Sequence, residues 1–322
     1  MAQPSSGIPR SYATLRFNDI SIEHYPKESV EVTPIVVVYL DRPQKMNAFT
    51  DYTREELELV YGWFDKDARV RCVVLTGRGK AFCAGFDLEV GFPGARDASG
   101  RTKNVIKERE VDHRDSGGRT VLAIHRCSKP TICAINGAAV GVGITMTLPS
   151  VIRVAYEKAK VGFVFTQRGL VMEACSSFFL PRLIGHSKAL YLTSTGAVYP
   201  ANSPHFGHLF NELLPTPEAT VARALELADA IVKNTSIVSN KMCRDLMYRG
   251  PDSAEATHLL DSKIIHGLYG KKDNLEGIES FLEKRAPRFS GNVPEDAPDS
   301  YPWFSTVDIG SPSKIDRPPS KL

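Results

Sequence analysis

The chain predicts an α/β fold, and three observations carry that expectation. Short β-branched runs of the kind buried on both faces recur along the first half. Segments with helical periodicity or helix caps lie between them. A helix-rich stretch follows over residues 218–285. Strands alternating with helices argue for a layered α/β architecture.

The elements follow in order. Tyr12 to Phe17 reads as a short strand. Ile35-Val36-Val37-Val38-Tyr39-Leu40 is a buried-type strand, ended by Asp41-Arg42-Pro43, where proline lacks the ladder N–H. Thr50-Asp51 reads as a helix cap before Arg54 to Leu59. Cys72 to Thr76 is the next strand and runs into a glycine-bearing turn through Phe82 to Leu88. Residues 101–119 hold six basic and four acidic side chains and read as a loop with a solvated helix. Thr131 to Ile135 is another buried strand, entering the small-residue run Asn136 to Gly143. Val151 to Ala155 reads as a further strand, and Ala219 to Val232 as a helix. After Pro287 the chain becomes polar and proline-bearing, and residues 291–322 read as a flexible tail.

Composition narrows the class. Hydrophobic residues make up 42% of 322, enough for a sizeable core, and charged residues 24%. A net charge of +3 is too small to argue for nucleic acid. No apolar run reaches the roughly 18 residues of a membrane span. The six cysteines form no C-x-x-C pair and have no histidines in a zinc spacing, so free thiols and no metal are expected. The triplet Ser320-Lys321-Leu322 matches the peroxisomal import signal, which names an import receptor as a partner.

Two glycine-rich turns carry the chemistry. One is Cys83-Ala84-Gly85-Phe86-Asp87-Leu88 and the other Asn136 to Gly143. Either could be a plain tight turn between sheet and helix. Neither has the spacing of a nucleotide-phosphate loop. Side by side, two such turns can aim backbone N–H groups at one oxygen, forming an oxyanion hole.

Four ordered motifs give a resemblance across residues 40–285. Leu40-Asp41-Arg42-Pro43 to Asn47-Ala48 resembles L-N-R-P-x-x-x-N-A. Val73 to Gly77 followed by Phe82 to Leu88 resembles V-V-L-T-G…F-x-A-G-x-D-L. Lys129-Pro130 to Gly141 resembles K-P-x-I-A-x-x-N-G-x-A-x-G, and Glu276 to Arg285 resembles E-G-I-x-x-F-L-E-K-R. Together these resemble the crotonase, or enoyl-CoA hydratase/isomerase, superfamily. The resemblance implies a spiral of ββα units over 11–230 and a C-terminal helical region over 231–290 that often builds homotrimers or hexamers. It implies an acyl-CoA thioester substrate and no separate cofactor. It assigns the oxyanion amides to Ala84 and Val142, and substrate contacts to Gly85, Phe86, Asp87, Leu88, Gly141, Lys45 and Ala48. Arg42 and Lys284 are further candidates for CoA phosphates, against a plain solvated surface. Asn47 and Asp87 read equally as turn-fixing side chains.

The acid/base group decides the reaction. The superfamily's hydratases resemble one another in using two glutamates, and Thr145 and Phe165 stand at those positions here. The stretch Gly169-Leu170-Val171-Met172-Glu173-Ala174-Cys175-Ser176-Ser177 resembles G-x-x-P-E-G-C-S-S of peroxisomal Δ3,Δ2-enoyl-CoA isomerases, with Met172 for proline and Ala174 for glycine. The resemblance makes Glu173 the catalytic base, its pKa raised by apolar neighbours such as Leu170 and Phe178. The expected activity is a single-base Δ3,Δ2-enoyl-CoA isomerase. The alternative is a hydratase or other acyl-CoA enzyme of a specialised pathway. A non-catalytic RNA-binding relative of the fold is a third class, but residues 101–119 mix both signs of charge. No histidine stands out, and His125 reads as a packed core group.

Overall fold

The computed structural model describes residues 7–87 and 109–310. The first strands are β1 (Ile20–Tyr25) and β2 (Ile35–Leu40), followed by helix α1 (Asp51–Lys66). Then come β3 (Cys72–Gly77), β4 (Ala81–Cys83), α2 (Ser116–Arg126), β5 (Thr131–Ile135), β6 (Ala138–Val140) and the single turn α3 (Val142–Thr145). Next are β7 (Ile152–Tyr156), β8 (Lys160–Gly162), α4 (Ser176–Thr195), β9 (Val198–Pro200) and β10 (Glu212–Leu214). Four helices close the series: α5 (Pro217–Asn234), α6 (Ile237–Arg249), α7 (Ala254–Leu268) and α8 (Lys272–Leu282).

The strands divide between two sheets. The larger has the order β1-β2-β3-β5-β7-β10, parallel except for the antiparallel β1–β2 pair. The smaller has the order β4-β6-β8-β9. Consecutive strands therefore go to different sheets: β3 to the first and β4 to the second, then β5 and β6, then β7 and β8. That alternation is the spiral of ββα units expected from the resemblance.

The large sheet is covered on both faces. Val36, Val38, Val73, Leu75, Cys133 and Ile135 face the main core with Phe64 and Phe82. Ile35, Val37, Cys72, Val74, Ile132 and Val154 face Ala224 and Ala228 of α5. Burial on both sides explains the continuous apolar runs of β2, β3 and β5. Helix α1 starts at Thr50, whose side chain accepts from the Thr53 N–H in a reciprocal capping box.

Two expectations change here. Tyr12 to Phe17 is not a strand. Tyr12 is buried, its N–H donating to His24 Nε2 and its hydroxyl to Asp67. The strand in this region is β1. Residues 291–310 pack as well, where a loose tail was expected. Val293, Ala297, Tyr301 and Trp303 join Val238, Met242 and Ile264 in an apolar cluster. The Tyr301 hydroxyl donates to the fully buried Asp245, whose other oxygen meets Lys241 at 3.1 Å. Among the described residues no helix is long and apolar enough to cross a membrane. Cys72, Cys83, Cys127 and Cys133 are buried free thiols, Cys175 is half-buried and Cys243 exposed.

Candidate active site

The first turn leaves β4 and is fixed by polar groups of the segment before α1. Arg42 donates to the Ala48 carbonyl and, at 3.0 Å, to Asp87, and lies 3.3 Å from Asp19. Asn47 accepts from the Arg42 N–H and donates to the carbonyls of Arg78 and Ala81. Arg42, Asn47 and Asp87 are thus tied into the scaffold, which answers the phosphate assignment for Arg42. Lys45 is exposed at the end of a short 3-10 turn, Pro43–Lys45, beside half-buried Ala48. Lys284 lies exposed beyond α8, in the helical region. Leu88 and the triplet Ser320-Lys321-Leu322 lie outside the described residues.

The Ala84 assignment needs correction. Its N–H donates to the Met46 carbonyl at 3.0 Å, so that amide is already engaged. Farther along the turn, Phe49 N–H donates to Gly85 O and Asp87 N–H to Phe49 O, forming a parallel bridge between Phe49 and Phe86. The Phe86 amide sits between those two bonds and so points away from Phe49. The Phe86 backbone thus faces the side of the turn opposite Phe49. Gly85, at φ 110°, takes a backbone shape that a side chain would resist, with the Val140 carbonyl alongside.

The second turn lies against the first. A Cβ on Gly143 would fall 2.1 Å from the Cys83 carbonyl, so only glycine lets α3 approach β4 this closely. Gly141, at φ 56°, turns the chain from β6 into α3. Val142 is the first residue of α3, and its N–H has no acceptor in the preceding strand or the helix. The structure thus brings together Gly85, Phe86, Gly141 and Val142 as the sequence expects, while the Ala84 amide is engaged by Met46.

Glu173 lies next to this pair of turns. Its Oε1 accepts from the Thr145 hydroxyl at 2.8 Å. Gly117 of α2 presses on the other oxygen, since a Cβ there would lie 1.7 Å from Oε2. Burial pushes the carboxyl up to about 8, with the Asp115 carboxylate adding to the rise and the Thr145 hydroxyl opposing it. The apolar neighbours expected from sequence contribute differently. Leu170 is exposed, and Phe178 is half-buried under the Arg182 guanidinium. It is the backbone of α2, together with α3, that closes over Glu173. Phe165, at the second hydratase position, packs against the main core.

Sequence reasoning missed Gly117 and Asp115. The signal was present as Asp115-Ser116-Gly117-Gly118, a cap followed by two small residues, but it lies in a mixed-charge stretch that reads as solvated surface. His125 is buried against Phe179 and Tyr248, and burial pushes it down to about 3, so it stays neutral in the core.

A half-buried carboxyl with a raised pKa, beside a helix N-terminus and two close glycine turns, suits proton exchange next to a developing oxyanion. Comparison with known proteins agrees. The enoyl-CoA hydratase/isomerase family model matches residues 31–292. Enoyl-CoA hydratase AFT3-1 of Alternaria alternata is 47% identical over 261 residues, covering 81% of this chain and 84% of that protein. Mevalonyl-coenzyme A hydratase of Beauveria bassiana is 31% identical over 255 residues, covering 79% and 90%. A crystal structure of an enoyl-CoA hydratase from Bacillus anthracis superposes with TM-score 0.71 at 27% identity, covering 85% of this chain and all of that one. With its spiral of ββα units, paired glycine turns and family match, the chain belongs to the enoyl-CoA hydratase/isomerase (crotonase) family.

Proposed function

We propose that the protein is an enoyl-CoA hydratase acting on the CoA thioester of a specialised acyl group. The observation that carries this reading is the contact between Glu173 and Thr145. Thr145 stands where the resemblance puts a hydratase glutamate, and Glu173 reaches the same place from another part of the chain. A carboxyl is therefore present there although residue 145 is not acidic. The hydratase names of the relatives at 47% and 31% identity support the same choice over the isomerase expected from the motif alone.

The chemistry balances with one carboxyl. The Val142 N–H at the start of α3 receives the thioester oxygen. Water oxygen adds to C3 while its proton passes to the Glu173 carboxylate. Negative charge moves through C2 to the thioester oxygen. Glu173 then gives its proton to C2, yielding the 3-hydroxyacyl thioester. CoA enters as part of the substrate, and the scheme uses no other cofactor.

A second reading is favoured by Thr145 and Phe165 replacing both hydratase glutamates. Glu173 would take a C2 proton from a 3-enoyl-CoA and return it at C4. One assay separates the two. Hydration of a 2-enoyl-CoA lowers the absorbance of the conjugated thioester, whereas isomerisation of a 3-enoyl-CoA raises it. A fall with the first substrate is expected. A rise with the second and no change with the first would overturn the hydratase in favour of the isomerase.

The exposed apolar residues of α7 and α8 support self-association as a trimer or hexamer. Delivery to the peroxisomal matrix rests on Ser320-Lys321-Leu322. Replacing Leu322 in a fluorescent fusion tests it, with diffuse signal expected and unchanged puncta contradicting it.

A further inference from the structure

Asp115 stands where two parts of the site meet. It is the N-cap of α2, and its Oδ1 accepts from the Gly118 N–H. The same oxygen accepts from the Ala174 N–H at 3.2 Å. One carboxylate therefore joins the start of α2 to the residue directly after Glu173.

That residue needs holding. Ala174 has φ 58° and Cys175 φ 52°, two consecutive left-handed residues, neither of them glycine. Such backbone persists only where its surroundings enforce it. On the far side, the Ser176 hydroxyl closes onto the Glu173 carbonyl. On the near side, Asp115 is the side chain that grips the turn.

Among the described residues, several groups surround the Glu173 carboxyl. Thr145 from α3 donates to it, and Gly117 from α2 packs on it. Cys83 from β4 and Cys175 from its own segment are nearby titratable groups, and burial pushes their thiols up to about 12 and about 11. Both are neutral at physiological pH. Arg126 acts on Cys175. Asp115 acts on Glu173 directly, as a like charge and as a hydrogen-bonding neighbour.

We propose that Asp115 is a positioning residue for Glu173: it pins the left-handed Ala174–Cys175 turn and sets a second negative charge against the catalytic carboxyl. The inference rests on Glu173 as the group that exchanges the substrate proton. Two separable effects follow. Loss of the grip lets the turn relax and misplaces Glu173. Loss of the charge alone lets Glu173 ionise at lower pH.

The experiment uses four variants, Asp115→Ala, Asp115→Asn, Ala174→Gly and the pair Asp115→Ala/Ala174→Gly, with kcat and KM measured against pH. Asp115→Ala should lose roughly tenfold or more in kcat with KM little changed. Ala174→Gly removes the backbone strain, and in the pair it should restore roughly threefold or more of that loss. Asp115→Asn keeps an oxygen for both N–H groups, so most of kcat should remain. Its pH limb should move to lower pH by roughly half a unit or more. An Asp115→Asn profile superimposable on the wild type would overturn the charge role, and failure of Ala174→Gly to restore any activity would overturn the grip. Glu173→Gln serves as the control. If it keeps wild-type turnover, the reading of Glu173 itself falls. If it is inactive while the Asp115 variants behave as wild type, only the present inference falls.

Discussion

The site around β4, α3 and Glu173 and the helical layer of α6 to α8 handle exposed surface in opposite ways. In the first, almost every polar group is answered from within the chain. Arg42, Asn47 and Asp87 are bonded to one another or to backbone, and Gly143 and Gly117 let backbone close over the rest. In the second, large apolar side chains stay outside. Phe281 is 82% exposed and Met247 83%, with Leu259 and Leu282 also exposed. A cleft of about 990 Å³ opens between these helices, lined by Met242, Leu246, Ile264, Ile265 and Ile278 among others. Exposed apolar residues grouped on one layer of helices are the kind of surface that marks an interaction site. The contrast is between a candidate site whose polar groups are held within the chain and a helical layer that leaves large apolar side chains exposed.

The most severe way to break this picture is Glu173→Gln. If the site is self-contained, removing its one proton carrier should lower kcat about a thousandfold, within the range for general acid–base groups. Steady-state assays on a 2-enoyl-CoA check it. Close packing is tested next. Gly143→Ala drives a methyl to 2.1 Å from the Cys83 carbonyl. Backbone cannot yield as a side-chain tip can, so a loss of about 1–3 kcal/mol or more is expected in denaturant unfolding.

The third prediction sets function against stability. Glu173 binds its proton up to about pH 8 when folded, but only to the ordinary carboxylate range when unfolded. Between those values the folded state holds more protons, so stability falls as pH rises through that window. Glu173→Gln removes the penalty. It should be more stable than wild type at pH 8, by about 1–2 kcal/mol, with the difference vanishing near pH 4. Thermal melts at both pH values measure this. The smallest effect on the folded chain belongs to the helical layer. Phe281→Ser with Leu282→Ser should change unfolding stability by less than about 0.5 kcal/mol. It should instead shift the mass seen by light scattering toward the monomer. An unchanged mass would break the comparison.

How much was legible depended on what each residue's signal was about. β3 and β5 were readable almost to the residue, because burial on both faces leaves a continuous apolar run. The Thr50 cap was readable because its chemistry is local. β1 was not, although Ile20-Ser21-Ile22-Glu23 alternates apolar and polar residues, because the run is short and the expected strand lay upstream at Tyr12 to Phe17. The second sheet was hidden because its strands are three residues each, too short for any period to show. Residues 291–310 read as a tail from their prolines, yet Tyr301 and Trp303 anchor them through contacts no local pattern reveals.

In the candidate site, the motif pointed to Glu173 but carried no sign of its environment. The Ala84 error has a simple cause. Which amide of a turn is available depends on which ones the backbone has already engaged, and the Met46 carbonyl takes that of Ala84. Residue identity carries no trace of that bond. Asp115 was missed for a related reason: its partner Ala174 is 59 positions away.

The central claim is that Glu173 delivers the proton to C2. Hydration of a 2-enoyl-CoA in D2O, with the product examined by NMR, tests it most directly. Wild type should place one deuterium at C2, on a single face, with a rate that climbs with pH toward a limb near 8. Glu173→Gln should form no deuterated product above the uncatalysed background. Stereospecific deuteration by Glu173→Gln at the wild-type rate would contradict the account.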